Sequence, residues 1–269
     1  MKTSFKTEVS NIKNYLKKKL NKDIVKGIQK VRYARSIKRI SDNSIAEFEI
    51  VKQLVKSGDT VVDVGANMGI YTKLLSGLVG VNGRVYSIEP IPYTFDILTY
   101  IVTKLKLNQV TLYNYAISNF DGFLNMEIPR GENGLENYYT AKIIDSSWES
   151  KYQTVNVQTR TLEGVLSNED KISFIKLDVE GHEYECLLGG ANIIDKYKPS
   201  LFIEIWGDPD ESNSAAHRTM KFLEDYGYRP FIYDDNKLRN RKLHETKNDY
   251  FFLTEEHISI LRQRSNLLT

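Results

Sequence analysis

The feature that most constrains the fold is a regular alternation of apolar segments with helical patterns between residues 44 and 254. Seven segments rich in β-branched and aromatic residues predict strands, at 60–65, 84–90, 110–117, 172–179, 200–206, 228–234 and 248–254. Helical patterns occupy 44–56, 68–79, 92–106, 181–196 and 212–226. This alternation predicts an α/β fold with right-handed βαβ units around a mostly parallel sheet. Only a polar loop separates the last two strands, which predicts an antiparallel pair at one edge.

Residues 119–165 interrupt this rhythm. Two segments in this region, FLNMEI and YQTVNVQTRTL, alternate as strands do, and glycine-containing turns lie before and between them. We therefore expect a β-hairpin insertion with an exposed loop over 130–150. Three aromatic residues of this loop, Tyr138, Tyr139 and Trp148, fit either ordinary packing or a lid whose rings stack on a substrate.

The first 40 residues are strongly basic. They contain 13 Lys and Arg against two acidic residues, a net charge of +11, so the rest of the chain carries −9 of the total of +2. Apolar residues recur here at three- and four-residue spacing, which predicts an amphipathic helical extension over 1–43, followed by a single domain over 44–269. The apolar stripe of this extension could pack on the body or on a second subunit. It could also attach the protein to an anionic membrane or to an anionic substrate carrier.

Composition excludes several classes of protein. No run of 18 apolar residues is present, and the first 20 residues lack the apolar core of a signal peptide. A single cysteine, Cys186, rules out an internal disulfide framework, and with four scattered histidines it makes no zinc-type spacing. We therefore expect a cytoplasmic protein, either free or peripheral at a membrane. The acidic body argues against nucleic-acid binding over a broad face.

The turn in VVDVGANMGIYTKLL indicates a ligand site at the end of the first strand. Gly65 permits a sharp turn with close backbone approach, and the helix that begins after Gly69 offers free N–H groups. Glu89 ends the second strand twenty residues later, where an acid accepts hydrogen bonds from ribose hydroxyls. The dinucleotide fingerprint GxGxxG and the P-loop motif are both absent. The spacing therefore favours an adenosine-containing cofactor without a phosphate clamp.

A set of motifs resembles the FkbM family of S-adenosylmethionine-dependent O-methyltransferases: DVGANMGIYT, SIEPIP, YNYAIS, FIKLDVEGHEYECLLGG and FIEIW, within residues 58–206. The resemblance implies a Rossmann-like methyltransferase fold whose last strand is antiparallel, with S-adenosylmethionine across the ends of the first, second and fourth strands. The cofactor-binding residues that it implies are Asp63, Gly65, Asn67, Gly69, Glu89, Pro90, Ala116 and Ser118.

Methyl transfer to a hydroxyl requires alignment of the acceptor and removal of its proton. The segment KLDVEGHE supplies Asp178, Glu180 and His182 as catalytic candidates, and Glu204 ends the neighbouring strand. Glu180 could instead be a structural residue, because an acid in the first turn of a helix is stabilised by the helix dipole, and we weigh the two roles equally. His182 could likewise be a partly exposed helix residue without a catalytic role. Lys176 fits an internal ion pair better than a catalytic role. Whether Asp178 and Glu204 share a divalent metal ion stays undecided, because the oxygen ligands of such ions have no fixed spacing in sequence.

The sequence thus predicts an O-methyltransferase whose most favoured acceptor is a hydroxyl of a sugar or glycan. Trp206, beyond Glu204, is a candidate to stack on a sugar face. The alternatives are a methyltransferase for a polyketide-type small molecule, one for a nucleic acid, and a non-catalytic scaffold attached to a membrane. The oligomeric state is left open.

Overall fold

The computed structural model describes residues 22–41, 43–131, 134, 136–144, 150–245, 247–264 and 267–268. Eight strands form the main sheet: β1 (Thr60–Val64), β2 (Arg84–Ile88), β3 (Val110–Tyr113), β8 (Phe174–Leu177), β9 (Ser200–Glu204), β10 (Arg229–Asp234), β11 (Lys237–Asn240) and β12 (Asp249–Leu253). The helices are α1 (Lys22–Arg39), α2 (Phe48–Leu54), α3 (Ile70–Val79), α4 (Pro92–Leu105), α5 (Leu162–Val165), α6 (Glu183–Leu188), α7 (Ala191–Tyr197), α8 (Ala215–Asp225) and α9 (Glu255–Arg264).

The strand order is β11-β10-β12-β9-β8-β1-β2-β3. The five strands from β9 to β3 are parallel, whereas β12, β10 and β11 pair antiparallel. The prediction of a mostly parallel sheet with antiparallel strands at the end of the chain is therefore confirmed. The count of seven strands is wrong because β11 (KLRN) is short and polar and carries no apolar signal.

Helices cover both faces of the main sheet. In β1 the side chains of Val61 and Val62 point to opposite faces, and each is fully buried in a different core cluster. One cluster contains Leu187 of α6 and Leu223 of α8. The other contains Val51 of α2, together with residues of α3 and α9. Burial on both faces explains why apolar residues occupy consecutive positions of β1, at Val61 and Val62.

A second sheet lies over one end of the main sheet. Its strands are β4 (Ala116–Ile117), β5 (Gly122–Ile128), β6 (Lys142–Ile144) and β7 (Gln153–Arg160), in the order β4-β7-β5-β6. The antiparallel pair of β5 and β7 is the predicted hairpin, and β6 extends it. The predicted strand over 110–117 is divided, because β3 stays in the main sheet and β4 joins the second one. Between β5 and β6 a 3₁₀ turn covers Tyr138–Thr140.

Two of the helical predictions need correction. The predicted helix over 44–56 is confined to α2, and the one over 181–196 is two helices that separate at Gly189 and Gly190. A Cβ on Gly189 would lie 2.0 Å from the carbonyl oxygen of Ser118, so the chain needs glycine for this close approach. Residues 1–21 of the predicted extension lie outside the described residues. No helix in the described part of the chain is long and apolar enough to cross a membrane.

Candidate active site

A pocket lies at the carboxyl ends of the parallel strands, where ligands bind in open α/β sheets. Its empty volume is about 710 Å³, part of it open to solvent. The strand order places Glu204 of β9 on one side, then Asp178 after β8, the turn after β1, and Glu89 after β2 on the other side. The further residues that line it are Val64, Gly65, Asn67, Ile88, Pro90, Ile91, Tyr115, Ala116, Ile117, Met126, Tyr138, Tyr139, Ala141, Ile143, Val179, Glu180 and His182.

The turn after β1 depends on glycine. Gly65 has φ +70°, and a Cβ added there would lie 1.7 Å from the carbonyl oxygen of Asp178. The N–H groups of Gly65 and Ala66 both donate to the carbonyl oxygen of Ile88, at 3.0 Å each. Gly69, with φ +87°, precedes α3, and a Cβ there would lie 2.6 Å from Leu98 Cδ1. Gly65 lines the pocket, whereas Gly69 supports the turn from behind.

Glu89 presents a buried carboxylate to the pocket. Its Oε2 accepts the N–H of Asn67 at 2.9 Å, and its Oε1 accepts the N–H of Ile91 at 3.0 Å. Burial raises its pKa to about 7, although these two hydrogen bonds act in the opposite direction. A carboxylate has about four acceptor positions, so about two are left for a ligand. Asn114 donates to the carbonyl oxygens of Glu89 and Pro90, at 2.8 and 3.0 Å, and fixes this segment.

Asp63 does not line the pocket. Its side chain is fully buried, and Thr72 of α3 donates a hydrogen bond of 2.6 Å to its Oδ2. Burial raises the pKa of Asp63, whereas the Lys176 amine, 3.8 Å from Oδ1, and the Thr72 hydroxyl lower it. Asp63 thus joins β1 to α3 beneath the turn, and a direct contact with a cofactor stays a prediction.

Lys176 forms the internal ion pair that the sequence favoured. Its Nζ donates to Asp178 Oδ2 at 2.9 Å and to the carbonyl oxygen of Gly65 at 3.0 Å. Burial opposes the charged amine, but the carboxylates of Asp178 and Asp63 outweigh it and raise the pKa of Lys176. The cation is therefore already paired, and it fixes Asp178 against the turn.

Three carboxyl groups, those of Asp178, Glu180 and Glu204, line the same part of the pocket. Burial and the charge of Asp178 raise the pKa of Glu204 to about 8. The same two causes raise the pKa of Glu180, whose backbone has the left-handed φ of +54°. Because like charges cannot all ionise freely at close range, Glu204 can hold or release a proton near neutral pH.

His182 lines the pocket, but its ring is engaged on the side of β4. Its Nε2 lies 3.0 Å from Ser118 Oγ, and its Nδ1 lies 3.5 Å from Glu185 Oε2. Burial lowers the pKa of His182, whereas Glu185 acts to raise it. Ser118 itself is fully buried and does not line the pocket, although the adjacent Ala116 does.

The second sheet supplies the outer wall of the pocket. Tyr138 stacks on Tyr93 of α4, with ring centroids 4.1 Å apart. The hydroxyl of Tyr139 bonds to that of Tyr33 of α1, and the two rings meet edge to face. Both Tyr138 and Tyr139 line the pocket, whereas Trp148 lies outside the described residues.

Several wall residues carry no sequence signal. Met126 and Ile143 are ordinary strand residues, and they reach the pocket only because the second sheet folds over the first. Tyr115 stands in the motif YNYAIS and was detectable there. Trp206 is 54% exposed and does not line the pocket.

One group in the described residues could offer three ligand atoms to a metal: Asp208, Asp210 and His244. Arg241 already pairs with Asp210 at 2.5 Å, and this group does not line the pocket. Asp178 and Glu204 do not belong to such a group among the described residues, so the shared divalent metal stays a hypothesis.

Two curated proteins resemble the chain over part of its length. The hexuronic acid methyltransferase AglP of Haloferax volcanii is 27% identical over 168 residues, which cover 61% of this chain and 64% of AglP. The chain thus matches less than two thirds of that relative. A probable cobalt-precorrin-6B C(15)-methyltransferase of Saccharolobus solfataricus is 28% identical over 146 residues, covering 52% of this chain and 73% of the relative.

Two solved structures are also similar. The methyltransferase FkbM of Methylobacillus flagellatus matches with a TM-score of 0.46 and 15% identity, over 84% of this chain and 59% of that one. Fibrillarin of Aeropyrum pernix, solved with bound S-adenosyl-L-methionine, matches with a TM-score of 0.45 and 13% identity, over 74% and 67%.

The family model for the methyltransferase FkbM domain matches residues 63–230, from the buried Asp63 of β1 into β10. This match covers more than half of the chain and includes every strand end that contributes to the pocket. The chain belongs to the methyltransferase FkbM family.

Proposed function

We propose that the protein is an S-adenosylmethionine-dependent O-methyltransferase that acts on a hydroxyl of a sugar or glycan. The observation that carries this proposal is the strand order at the pocket, which sets Glu89 and the Gly65 turn beside Asp178 and Glu204. A carboxylate suited to a ribose thus stands on one side, and a cluster of carboxyl groups stands on the other.

The residues present fit the cofactor. Gly65 lets the turn lie directly against the backbone of Asp178 at the edge of the pocket, and Glu89 keeps about two acceptor positions for the ribose hydroxyls. Buried apolar residues, Ile88, Ala116 and Ile117, offer a surface for an adenine ring. When bound, S-adenosylmethionine supplies an electrophilic methyl group. We assign its binding to Gly65, Asn67, Glu89, Pro90 and Ala116, with Asp63, Gly69 and Ser118 in support.

Glu204 is our candidate for the general base. A base works best when its pKa lies near the operating pH, and the pKa of Glu204 is raised to about 8. We assign the orientation of the acceptor hydroxyl to Asp178, whose carboxylate accepts a hydrogen bond from Lys176, and a further hydrogen-bond acceptor to Glu180. We assign His182 to the cofactor side, because its Nε2 bonds to Ser118 beside β4.

The lining favours a hydroxyl-rich acceptor. Carboxylates accept hydrogen bonds from several hydroxyls, and Tyr138 and Tyr139 offer ring faces to a sugar. The relative AglP is named for a sugar acid, which agrees with a sugar acceptor for this chain. No described residue that lines the pocket is Lys or Arg, which counts against a nucleic-acid acceptor.

A polyketide-type small molecule is the second candidate acceptor. Met126, Ala141 and Ile143 give the outer wall an aliphatic part that a reduced carbon skeleton would contact. A direct assay distinguishes the two candidate acceptors. Transfer of a labelled methyl group from the cofactor is measured with a panel of glycosides and with a panel of macrocyclic or aliphatic alcohols.

Binding of S-adenosylhomocysteine, measured by isothermal titration, tests the first step. Glu89→Ala should weaken it about 10- to 100-fold, because hydrogen bonds to a charged group contribute about 1.5–3 kcal/mol. Glu211→Ala, at an exposed glutamate, is the matched control. If the wild type binds the ligand but transfers no methyl group, and Asp178→Ala binds and behaves in the transfer assay as the wild type does, the result would favour the non-catalytic scaffold. No binding to the wild type would refute the proposal.

A further inference from the structure

Helix α1 is fixed to the body by one face. Ala34 and Ile37 are buried, with 5% and 2% exposure, in a cluster with Ile97 and Ile101 of α4. On the same side, Lys26 and Lys30 both pair with Asp96 of α4, at 2.6 and 2.7 Å. These contacts define which side of the helix faces away from the body.

The opposite face of α1 combines an apolar stripe with exposed arginines. Ile24, Ile28 and Val31 are 52%, 57% and 38% exposed, and their spacing of four and three residues places them in one row. The row continues in three exposed arginines that form no ion pair with any described residue: Arg32, Arg35 and Arg39. The described residues that line one cavity all lie on this face of α1, and they include both the apolar stripe and the arginines.

We propose that this outward face of α1 binds the anionic surface of a membrane, with Ile24, Ile28 and Val31 at the acyl boundary and the arginines on lipid phosphates. Charge complementarity carries the choice of partner. The first 40 residues, which include α1, hold a net charge of +11 and the rest of the chain −9, so an anionic surface attracts this segment and repels the body.

The pattern fits a lipid surface better than RNA. A phosphate backbone would pair with the arginines, but it would leave the three aliphatic side chains in water. A helix that lies in the membrane interface buries its apolar row beside its basic residues. An 18-residue helix is about 27 Å long, which is enough to place both parts of the face on one surface.

The docking face lies close to the pocket. The hydroxyl of Tyr33, on α1, bonds to Tyr139 in the pocket wall. A helix with its side chains is about 10 Å across, so a docked α1 would hold the pocket wall about one helix diameter from the lipid. This proposal does not depend on the proposed methyl transfer.

Flotation of the full chain with vesicles tests it. We expect binding to vesicles that contain phosphatidylglycerol, loss of binding at high salt, and no binding to pure phosphatidylcholine. Arg32→Gln and Arg35→Gln should each weaken partition about fivefold. Ile28→Ser should weaken it about tenfold, because the aliphatic side chain no longer contributes burial.

Two control variants separate this face from the general surface. Val81→Ser removes an apolar side chain that is 92% exposed elsewhere, and Arg262→Gln removes an exposed arginine of α9. Both should bind vesicles as the wild type does. The proposal is overturned if the wild type does not float, or if the controls lose as much binding as the α1 variants. It is also overturned if the arginines support binding to RNA and not to vesicles.

Discussion

At the scale of a single residue, the raised pKa of Glu204 predicts how the activity depends on pH. Burial and Asp178 raise its pKa from an ordinary 4.5 to about 8, so the basic form accumulates only as the pH rises through about 8. If Glu204 takes the acceptor proton, kcat/KM should rise over the same range. Glu204→Gln should lower kcat about 10²-fold or more and remove this limb of the pH profile.

A stability measurement checks the same pKa without catalysis. Between pH 4.5 and about 8 the folded protein keeps a proton on Glu204 that the unfolded chain has released. The free energy of unfolding of the wild type should therefore fall with rising pH, relative to Glu204→Gln, and level off above about pH 8. Urea titrations at a series of pH values measure the difference. A constant difference between the two proteins would contradict the raised pKa.

The backbone conformation of Gly65 predicts that a larger residue at this position destabilises the protein. Gly65→Ala introduces a Cβ 1.7 Å from the carbonyl oxygen of Asp178 and forces alanine to φ +70°. We expect the free energy of unfolding to fall by about 2–4 kcal/mol. Gly77→Ala is the matched control, because Gly77 is exposed within α3 and a Cβ there meets nothing within 4 Å. That change should stabilise the protein by up to about 1 kcal/mol. Equal effects of the two changes, measured in urea, would refute the account of the turn.

Local turn chemistry made part of the site predictable. Gly65, Asn67 and Glu89 follow strand ends, and their chain positions alone put them at the carboxyl edge of the sheet. Asp63 and Ser118 were expected in the pocket too, but their side chains turn away, to Thr72 and His182. Sequence does not determine this, because the direction of a side chain at a strand end depends on the partner that satisfies it.

At the scale of elements, the second sheet forms the wall that encloses the pocket. Its hairpin was predictable because β5 and β7 alternate in polarity. The short strands β6 and β11 were not, because three or four residues give too little pattern to identify. The division between α6 and α7 was also missed, since the close approach of Gly189 to Ser118 is a long-range contact.

The stacked pair of Tyr93 and Tyr138 ties this wall to α4. Tyr138→Ala should weaken S-adenosylhomocysteine binding about 5- to 10-fold, because an aromatic pair contributes about 1 kcal/mol and the ring also lines the pocket. Tyr152→Ala, at a 43% exposed tyrosine of the same insertion, should leave the affinity unchanged. Isothermal titration measures both. Unchanged affinity in Tyr138→Ala would show that the stacked pair of Tyr93 and Tyr138 does not support cofactor binding.

At the scale of the whole molecule, charge is divided between the first 40 residues, which are basic, and the rest of the chain, which is acidic. The sequence made this division visible because net charge is a sum and needs no knowledge of contacts. The motifs also predicted that carboxyl groups meet at the site, but they could not show how burial there raises the pKa values of Glu89 and Glu204. There Glu89, Asp178, Glu180 and Glu204 line the wall, and Lys176 is the buried cation that offsets Asp178.

The carboxyl groups that line the pocket predict a preference for an uncharged acceptor. Above about pH 8, where Glu204 has lost its proton, a uronic acid brings its carboxylate toward Glu180 and the charged Glu204, and like charges at close range disfavour binding. The neutral hexoside of the same ring configuration should therefore have a kcat/KM at least about tenfold higher, which corresponds to about 1.4 kcal/mol. The preference should shrink at high ionic strength, because salt screens the repulsion where the pocket is open.

The methyl ester of the uronic acid is the matched control. It keeps the shape of the acid and removes its charge, so it should be methylated as well as the neutral hexoside. Glu180→Gln should raise kcat/KM for the uronic acid and leave the neutral sugar nearly unchanged, because only the charged acceptor meets repulsion there. If the free acid is the better acceptor in the wild type, a cation that the described residues do not provide must neutralise it. The carboxyl cluster would then serve to hold that cation and not to select the acceptor.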